Sequence, residues 1–395
     1  MTFAGTGRAF ARFAASCFIS ALLAALVLPV TASAGDQEDS PGKMAAEQPE
    51  SASRWTVSTE AIVLDHSGNV NRTLVARVPG STQFCATAGY PWPGCTAPAT
   101  GVEAFNSNQF QDVFSAGPKI NLIYHGDAGY SVELLYFNIF NQSATKVTGP
   151  DNPAGWLVMK APGGFWQTQD FAYQGMAWGT TTNLYSAEAN GRLDLSRRVT
   201  LLAGFRWLQL NDNLVGTLPP PDVMEPTWKQ PCLLHPSASN CDIFHIQQGT
   251  TPAGTNPPFW NTATTNNLYG IQIGVDGKIL EYGRISLEGL IKFGVFDNNA
   301  EQWTGVSMQK TVYPSGASAS HTALLTDGGL QLKYQISKGL AVKAGYEALW
   351  LNGVALAPGQ IRETSTAPSS VTALGVNSGS SVFFQGVTVG LEYSF

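Results

Sequence analysis

Residues 381–395 read SVFFQGVTVGLEYSF, and apolar side chains alternate in this stretch with small or polar ones. Alternate side chains of an extended chain point to opposite faces. The apolar face carries Phe383, Val387, Val389, Leu391, Tyr393 and Phe395. The opposite face carries Gly386, Thr388, Gly390, Glu392 and Ser394. The alternation predicts a β-strand with lipid on one side and a polar interior on the other.

Nine further segments repeat this alternation, and each is long enough to cross a bilayer as a tilted strand, which takes roughly nine to eleven residues. The ten predicted spans are 55–64, 112–124, 128–141, 180–195, 198–211, 267–280, 284–297, 321–337, 340–354 and 381–395. Residues 155–177 could add another hairpin or fold inward, so eight or twelve strands remain open. Pro118 lacks an N–H for a closed sheet, so we expect a bulge at residues 116–118 or a strand that starts at Lys119.

The connections between these segments alternate strictly in length. Four are tight turns, at residues 125–128, 196–198, 281–284 and 337–339. Five are long and rich in residues that oppose strand continuation, at 65–111, 142–179, 212–266, 298–320 and 355–380. Outer-membrane barrels have short periplasmic turns and long external loops. We therefore predict an all-β fold, a transmembrane antiparallel up-and-down β-barrel of about ten strands, over residues 54–395.

Aromatic residues near the predicted strand ends suit the interface girdles of a membrane barrel. Those expected on the periplasmic side are Trp55, Tyr124, Tyr130, Tyr334 and Tyr393. Those expected on the outside are Tyr136, Trp207, Tyr269, Trp350 and Phe383. Hydrocarbon offers no hydrogen-bond partners to the backbone, so a sheet that lies in it must close on itself.

The first 34 residues have the pattern of a secretory signal peptide. Arg8 and Arg12 precede an apolar stretch over residues 13–30, and residues 32–34 read Ala-Ser-Ala, a small-residue cleavage site. Residues 35–53 are polar and without periodicity, so we expect a flexible periplasmic N-terminal lead. The expected location is the outer membrane, reached through the periplasm after cleavage behind about Ala34.

Composition excludes two other classes of protein. The chain has 22 basic and 28 acidic residues, so it lacks the basic surface that nucleic-acid binding needs. After residue 34 no run of eighteen apolar residues recurs, which argues against a helical membrane protein. Charged residues make up only 13%, about half the usual share. No phosphate-binding loop, nucleophile elbow or catalytic triad stands out, so we expect neither a cofactor nor an enzyme.

Three stretches resemble the bacterial β-barrel porin family seven, namely residues 186–213, 268–280 and 342–361. Residues 55–64, WTVSTEAIVL, are similar to the first strand of that family. The resemblance implies an outer-membrane barrel of porin type, and it transfers no functional residue. The ending with Tyr393 and Phe395 is similar to the signal that the outer-membrane barrel assembly machinery reads. The expected partners are therefore that machinery and outer-membrane lipid, and the oligomeric state is left open.

The inward faces of the predicted strands carry equal numbers of acids and bases. The acids are Glu60, Glu133, Glu188, Asp276, Glu288, Glu347 and Glu392. The bases are Lys119, Arg192, Arg206, Lys278, Lys292, Lys333 and Lys343. Ten strands leave a narrow lumen, and buried charges in it must pair. This balance predicts a salt-bridged plug, with an ion-selective pore lined by the same residues as the alternative.

Four cysteines remain after the signal peptide, in two pairs within two predicted external loops. Their short separations and an oxidising export route favour disulfides between Cys85 and Cys95 and between Cys232 and Cys241. Alternatively, two thiolates and two imidazoles offer the ligand set of a structural zinc site. Its ligands would be Cys232, His235, Cys241 and His245.

Three functions fit these features. The first is a porin-like barrel with a narrow or plugged lumen that passes small solutes or ions. The second is an adhesin or receptor that displays the loop 212–266. The third is an omptin-like rim protease, for which acids and histidines near the outer mouth are the candidates: Asp65, His66, Asp212, Asp297 and His321. Asp65 and His66 are adjacent on a strand, which points their side chains apart.

Overall fold

The computed structural model describes residues 54–79, 102–110, 113–126, 129–149, 155–158, 172–173, 176–217, 260–308, 311–367 and 370–395. Ten long strands form the barrel: β1 (Trp55–Gly68), β4 (Ser115–His125), β5 (Tyr130–Thr148), β8 (Met176–Asp194), β9 (Val199–Thr217), β10 (Trp260–Tyr282), β11 (Ile285–Met308), β12 (Thr311–Gln335), β13 (Leu340–Val354) and β16 (Ser380–Ser394). Shorter strands belong to the long connections: β2 (Thr73–Pro79), β3 (Val102–Asn106), β6 (Gly155–Val158), β7 (Ala172–Tyr173), β14 (Thr364–Ala367) and β15 (Ser370–Ala373). Two 3-10 helices lie at Ser107–Gln109 and Ala357–Glu363.

The ten long strands form a closed antiparallel barrel in which each strand pairs with its neighbours along the chain, and β16 returns to β1. Trp55 N–H donates to the carbonyl of Phe395 at 3.0 Å, and Phe395 N–H donates back to Trp55 at 2.9 Å. The predicted ten-stranded up-and-down barrel is confirmed. Within residues 155–177, β6 and β7 join β2 and β3 in a separate four-stranded sheet, so the barrel gains no further hairpin from them.

The hairpin of β11 and β12 is much longer than expected. Residues 298–320 were predicted to form an external loop, but the two strands pair from Ile285 and Tyr334 up to Met308 and Thr311. The prediction was wrong because residues that usually oppose strand continuation, Pro314 among them, lie within a regular ladder here. Pairing of β12 with β13 reaches only Leu324, so Pro314 lies where β12 has no neighbour in the ladder on that side and its missing N–H costs nothing.

Pro118 is accommodated in the same way. The pairing of β4 with β1 runs through Pro118 and Ala61 without a bulge, so the expected bulge at residues 116–118 is absent. The alternative expectation, a strand that starts at Lys119, was also wrong, because β4 starts at Ser115. Only the pairing of β4 with β5 begins at Lys119. Gly117 lies against the carbonyl oxygen of Asn138, where a Cβ atom would not fit. The close approach explains why glycine precedes the proline.

The outward faces form an apolar belt. Ile271 and Val389 are 71% and 56% exposed, although both are large hydrophobic residues. Seven of the predicted girdle aromatics are exposed on this surface: Trp55, Tyr130, Tyr136, Tyr269, Tyr334, Trp350 and Tyr393. An exposed apolar surface that encircles a closed sheet is what contact with hydrocarbon requires. In the described parts of the chain, no helix is both long enough and apolar enough to span a bilayer.

Candidate functional site: a layered lumen

Inward-facing side chains change character along the barrel axis. We call the end with the short connections the turn end, and the end with the long connections the loop end. On β9, Arg206 is followed toward the loop end by Leu208, Leu210, Asp212 and Leu214, which are all buried. Neighbouring strands repeat this order. The lumen is therefore filled by an ion-pair layer, an apolar layer, a polar layer and a cap core.

Arg206 lies at the centre of the ion-pair layer, and its side chain is fully buried. One guanidinium nitrogen lies 3.2 Å from Glu188 Oε1 and 2.7 Å from Asp327 Oδ2. Its Nε donates to Ser186 at 2.9 Å. Lys292 Nζ contacts the second oxygen of Glu188 at 2.8 Å. Two cations and two carboxylates thus neutralise each other at side-chain exposures of at most 4%, and such pairing is the condition for burying them.

Further ion pairs surround this centre. They join Lys119 to Glu347 at 2.5 Å, Arg192 to Asp276 at 2.5 Å and to Glu133 at 3.3 Å, Lys343 to Glu60 at 3.1 Å and to Glu392 at 3.2 Å, and Lys333 to Glu392. Every charged residue predicted to face the lumen takes part, apart from two at the turn end. Lys278 is half exposed and lies 3.8 Å from Glu281, and Glu288 accepts a hydrogen bond from Ser286.

Asp327 was missed in the sequence, although it pairs with the central arginine. It lies on β12 six residues before Lys333, on the same face of the strand. That even spacing is the signal that could have found it. With Asp327 added, the predicted set of lumen charges holds eight acids and seven bases.

A cavity of about 680 Å³ opens at the turn end and leads up to the ion-pair layer. Arg197 and Arg198 of the turn between β8 and β9 border its mouth, and Asp327 and Glu347 lie at its inner end. We call this cavity the vestibule. It gives water access to the lower side of the ion-pair layer.

The apolar layer lies directly above the ion pairs. It consists of Ile62, Leu64, Leu135, Phe137, Ile139, Leu184, Leu208, Leu210, Leu268, Phe296, Ala323, Leu325, Leu349, Leu351, Val354, Leu356, Val382 and Phe384. Most of these side chains are at most 2% exposed, although they project into the lumen. Close-packed hydrocarbon excludes both water and ions. This layer therefore closes the lumen in cross-section.

The polar layer holds a short segment of chain that turns inward from the end of β13. We call this segment, residues 353–357, the strap. Gly353 has φ +85°, and the register of β13 with β16 shifts between Asn352 and Val354. A Cβ atom at Gly353 would press on the backbone of Thr322 and Ala323. Glycine is thus required both for the left-handed conformation and for the close approach.

Two wall asparagines hold the strap. Asn266 of β10 accepts from Ala355 N–H at 2.7 Å and donates to the carbonyl of Ala355 at 2.8 Å. Asn298 of β11 donates to the carbonyl of Gly353 at 2.9 Å and to the side chain of Asn266 at 3.0 Å. The carbonyl of Gly353 and both backbone groups of Ala355 are therefore satisfied by side chains instead of a neighbouring strand.

Asp212 of β9 provides the third attachment and lies beyond the apolar belt. The next three outward-facing residues of β9 after Trp207 are polar, namely Gln209, Asn211 and Asn213. One carboxylate oxygen of Asp212 accepts from Ala357 N–H at 2.8 Å, at the start of the 3-10 helix. The other accepts from the Thr182 hydroxyl at 2.8 Å.

Burial raises the pKa of Asp212 from 3.8 to about 6, and the hydrogen bonds from Ala357 and Thr182 only partly oppose that rise. A raised carboxyl pKa means that the folded state favours the protonated acid. Its stabilising contribution is complete below pH 3.8 and is lost as the pH rises through about 6. The strap is thus held more firmly in acid than at neutral pH as far as Asp212 is concerned.

This pH dependence can be measured with the isosteric variant Asp212→Asn. The free-energy advantage of wild type over Asp212→Asn is expected to fall by up to about 3 kcal/mol between pH 4 and pH 7, because a pKa shift of one unit corresponds to about 1.4 kcal/mol. Denaturant unfolding of both proteins in lipid vesicles at each pH measures it. A difference between the two proteins that stays constant over this range would contradict the assignment.

Above the strap, a cap core joins the barrel wall to the long connections. It is built by Leu74, Val75, Phe105, Leu157, Met176, Trp178, Leu214, Trp260, Val306, Ala357, Ile361 and Val371. Gln360 of the 3-10 helix exchanges hydrogen bonds with the backbone of Asn377, at 2.8 Å and 2.9 Å. The helix that follows the strap is therefore packed into the mouth of the barrel.

Of the five candidates for a rim protease, His66 and Asp212 come together and the others lie elsewhere. His66 and Asp212 both contact Thr182, at 3.2 Å and 2.8 Å, inside the wall. Asp297 is exposed and pairs with Tyr269 on the outward face, and His321 is exposed on the neighbouring strand. Asp65 points to the face of β1 opposite to His66, as expected for adjacent strand residues.

Other predicted residues fall outside this lumen. Cys85, Cys95, Cys232 and Cys241, and the histidines of the alternative zinc site, His235 and His245, lie outside the described residues. The signal peptide 1–34 and the lead 35–53 do so as well. Tyr393 and Phe395 lie at the turn end with their rings stacked at 5.7 Å, next to the seam between β1 and β16.

Comparisons with known proteins add little to the description of the fold. No family model matches the chain, and no curated protein matches it either, so the resemblance to porin family seven stays a prediction. Among solved structures, the outer membrane protease OmpT from Escherichia coli is similar at 9% identity and a TM-score of 0.44, over 86% of this chain and 96% of that one. The translocator domain of the autotransporter NalP from Neisseria meningitidis follows at 8% identity and 0.33, over 86% and 88%. A FadL homologue of Pseudomonas aeruginosa gives 9% and 0.29, over 87% and 90%.

Proposed function

We propose that this chain is a porin-like outer-membrane barrel whose lumen is closed at rest. The observation that carries the proposal is the apolar layer, which fills the cross-section above a network of paired charges. A conducting pore needs a continuous path of water, and neither layer leaves one. The exposed apolar belt supports a place in a bilayer. The alternation of short and long connections supports the outer membrane, with the turn end in the periplasm.

Passage of a small solute or ion would require the strap to leave the mouth of the barrel and the apolar layer to separate. The wall itself is a continuous antiparallel ladder, so the strap and the connections that pack on it are the parts that can move without breaking the barrel. The strap is held by hydrogen bonds with the side chains of Asn266, Asn298 and Asp212 and by the packing of Val354 and Leu356 in the apolar layer.

The closed state predicts an electrically silent protein. Detergent-refolded wild type inserted into planar bilayers is expected to show conductance near zero, because an apolar seal carries no ions. Heat-modifiable migration on a gel provides the control that the inserted protein is a folded barrel. Steady and reproducible single-channel steps from the wild type would show that the lumen is open and would remove the proposal.

A second candidate function is a binding barrel that displays its loops. The observation in its favour is the height of the wall: β9 to β12 continue past the belt and enclose a cap core of their own. Its test is the binding of refolded protein to a panel of extracellular matrix proteins, with residues 218–259 replaced by a Gly-Ser linker as the comparison. Binding that the replacement abolishes would favour display over passage. The rim protease finds no such support, because Asp297 faces outward, away from His66 and Asp212, which meet at Thr182.

A further inference from the structure

The turn end of the barrel carries an excess of positive charge around the mouth of the vestibule. In the described part of the turn end, the exposed cations are Arg54, Arg197, Arg198, Lys278, Arg284 and Lys338, and the exposed acids are Asp194 and Glu281. Both acids already have contacts: Asp194 accepts from the Thr200 hydroxyl at 2.6 Å, and Glu281 lies 3.8 Å from Lys278. The rim of the vestibule therefore favours an anionic partner.

Two of these cations, Arg197 and Arg198, line the vestibule itself. The hydroxyl of Ser196 holds their turn, because it accepts from Arg198 N–H at 3.2 Å and from Val199 N–H at 3.1 Å. The carbonyl of Arg198 accepts from Lys278 N–H at 2.8 Å, which ties the turn to β10. Within the described residues, neither guanidinium forms an ion pair. The turn thus holds two positive charges where an anionic group in the mouth can pair with them.

The chain enters the barrel on the far side of the same mouth. His125 N–H donates to the carbonyl of Arg54 at 2.8 Å, and Thr56 and His125 both line the vestibule. Among the ten strands of the barrel, β8 and β9 lie three and four places from β1. Strands about 4.8 Å apart and tilted by about 40° give a ten-stranded barrel a mouth about 20 Å across. The residues before Arg54 therefore start at the rim that faces Arg197 and Arg198.

The lead that precedes Arg54 has the complementary charge. It holds five acids and one base, hence a formal net charge of −4; the acids are Asp36, Glu38, Asp39, Glu47 and Glu50, and the base is Lys43. An extended chain covers about 3.4 Å per residue, so Glu50 can lie about 14 Å from Arg54 and Glu47 about 24 Å. Because glutamate and arginine side chains are long, both carboxylates can reach the opposite rim of the mouth.

We propose that the lead crosses the turn end and docks Glu47 and Glu50 on Arg197 and Arg198, so that it covers the mouth of the vestibule. Guanidinium groups bind carboxylates through paired hydrogen bonds. The lead is tethered at Arg54, which keeps its effective concentration at the rim high. Both arginines line the lumen side of the turn, which favours the lead over a lipid headgroup on the outward face. The docking goes beyond the closed lumen and does not depend on whether the barrel conducts, so the two proposals can fail separately.

Glutamate-specific proteolysis of the refolded full chain in a zwitterionic detergent tests the docking. The measured quantity is the rate of cleavage after Glu47 and Glu50 relative to the rate after Glu38, which is the internal reference. Arg197→Gln with Arg198→Gln is expected to raise this ratio about fivefold at low salt, the effect of two exposed ion pairs of ordinary strength. In about 1 M salt the two proteins are expected to agree, because exposed charges are then screened.

The matched control for this variant is Arg284→Asp. Arg284 is also exposed at the turn end, but it does not line the vestibule. The substitution changes the net charge by two units, as the double arginine variant does, and it adds no glutamate for the protease. Its cleavage ratio is expected to equal that of the wild type. An equal rise in both variants would reveal an effect of net charge alone and sink the docking. Equal ratios in the wild type and the double arginine variant would overturn it too.

An exchange of charges tests direct contact. Glu47→Lys with Glu50→Lys makes this part of the lead basic, so the rim repels it and trypsin cleavage after positions 47 and 50, relative to Lys43, is expected to be fast. Addition of Arg197→Glu and Arg198→Glu is expected to slow that cleavage about fivefold. Heat-modifiable migration checks that each variant is a folded barrel. An exchange that restores no protection would contradict the contact. Protection that increases with protein concentration would assign the contact to a second copy and overturn docking within one chain.

Discussion

Replacement of Arg206 by alanine is expected to lower the free energy of unfolding by about 3–5 kcal/mol, since removal of one partner leaves buried charge without compensation. Glu188 and Asp327 would keep their negative charges at 1% and 4% side-chain exposure, with Lys292 as the remaining cation beside Glu188. Denaturant unfolding in lipid vesicles, followed by tryptophan fluorescence, measures the loss.

Lys278→Ala is the matched control for this experiment. Lys278 is also a lumen-side cation, but its side chain is 43% exposed and its acidic partner lies 3.8 Å away. Exposed ion pairs contribute about 0–1 kcal/mol, so the control should change little. If Arg206→Ala and Lys278→Ala were equally stable, the central pairs would be bathed in water and the layered description of the lumen would be wrong.

Asn266→Ala is expected to free the strap. The substitution removes the partner of both backbone groups of Ala355, and a buried polar group without a partner costs about 1–3 kcal/mol. Because two such groups lose their partner, the free energy needed to release the strap is expected to fall. Arg362, in the 3-10 helix after the strap, should then become a site of limited trypsin cleavage in the folded barrel. The measurement is the appearance of a C-terminal fragment that begins at Glu363.

The control for the strap is Asn267→Ala. Asn267 is the next residue of β10, points to the opposite face and bonds to Gln209 in the wall. The substitution Asn267→Ala should leave trypsin cleavage after Arg362 at the wild-type level. Protection of Arg362 in Asn266→Ala equal to that in Asn267→Ala would mean that the cap core alone holds the strap. In that case passage would need a larger rearrangement of the loop end.

The barrel could be predicted from sequence because its pattern is local. Alternation along β16, β10 and β11 is visible in single segments, and the tight turns mark where each hairpin reverses. Charges on the inward faces could be assigned by the same parity, including Glu188 and Arg206, which contact each other across neighbouring strands. A period of two gives the face of a residue without knowledge of its partners.

The apolar layer was not predicted, although its signal is present. On β9 the polar inward face ends at Arg206, and Leu208 and Leu210 then continue on the same face. In this part of β9 the alternation inverts, because the inward Leu208 and Leu210 are apolar and the outward Gln209 and Asn211 are polar. The usual rule that apolar residues face lipid would therefore place these leucines on the wrong face. Only the closed topology shows that these leucines meet others from the opposite wall.

The strap lay beyond sequence reasoning for a different reason. Asn266 and Ala355 are 89 residues apart, and nothing local in either segment indicates that a side chain will replace a strand as hydrogen-bond partner. Long connections rich in Gly and Pro were expected to be irregular loops. The chain instead uses Gly353 to turn inward and the helix Ala357–Glu363 to fill the mouth.

The seam between β1 and β16 has a kinetic consequence. Each hairpin of the wall joins segments that are neighbours in sequence, but the seam pairs Thr56 with Ser394, which are 338 residues apart. Loop closure over such a sequence separation is slow, so the pairing of β1 with β16 that closes the barrel forms last. Until then the incomplete sheet exposes two unpaired edge strands, with which another copy of the chain could pair. A chaperone that holds the unfolded chain in the periplasm would cover these edges. It should raise the yield of inserted protein more than it raises the rate at which any single hairpin forms.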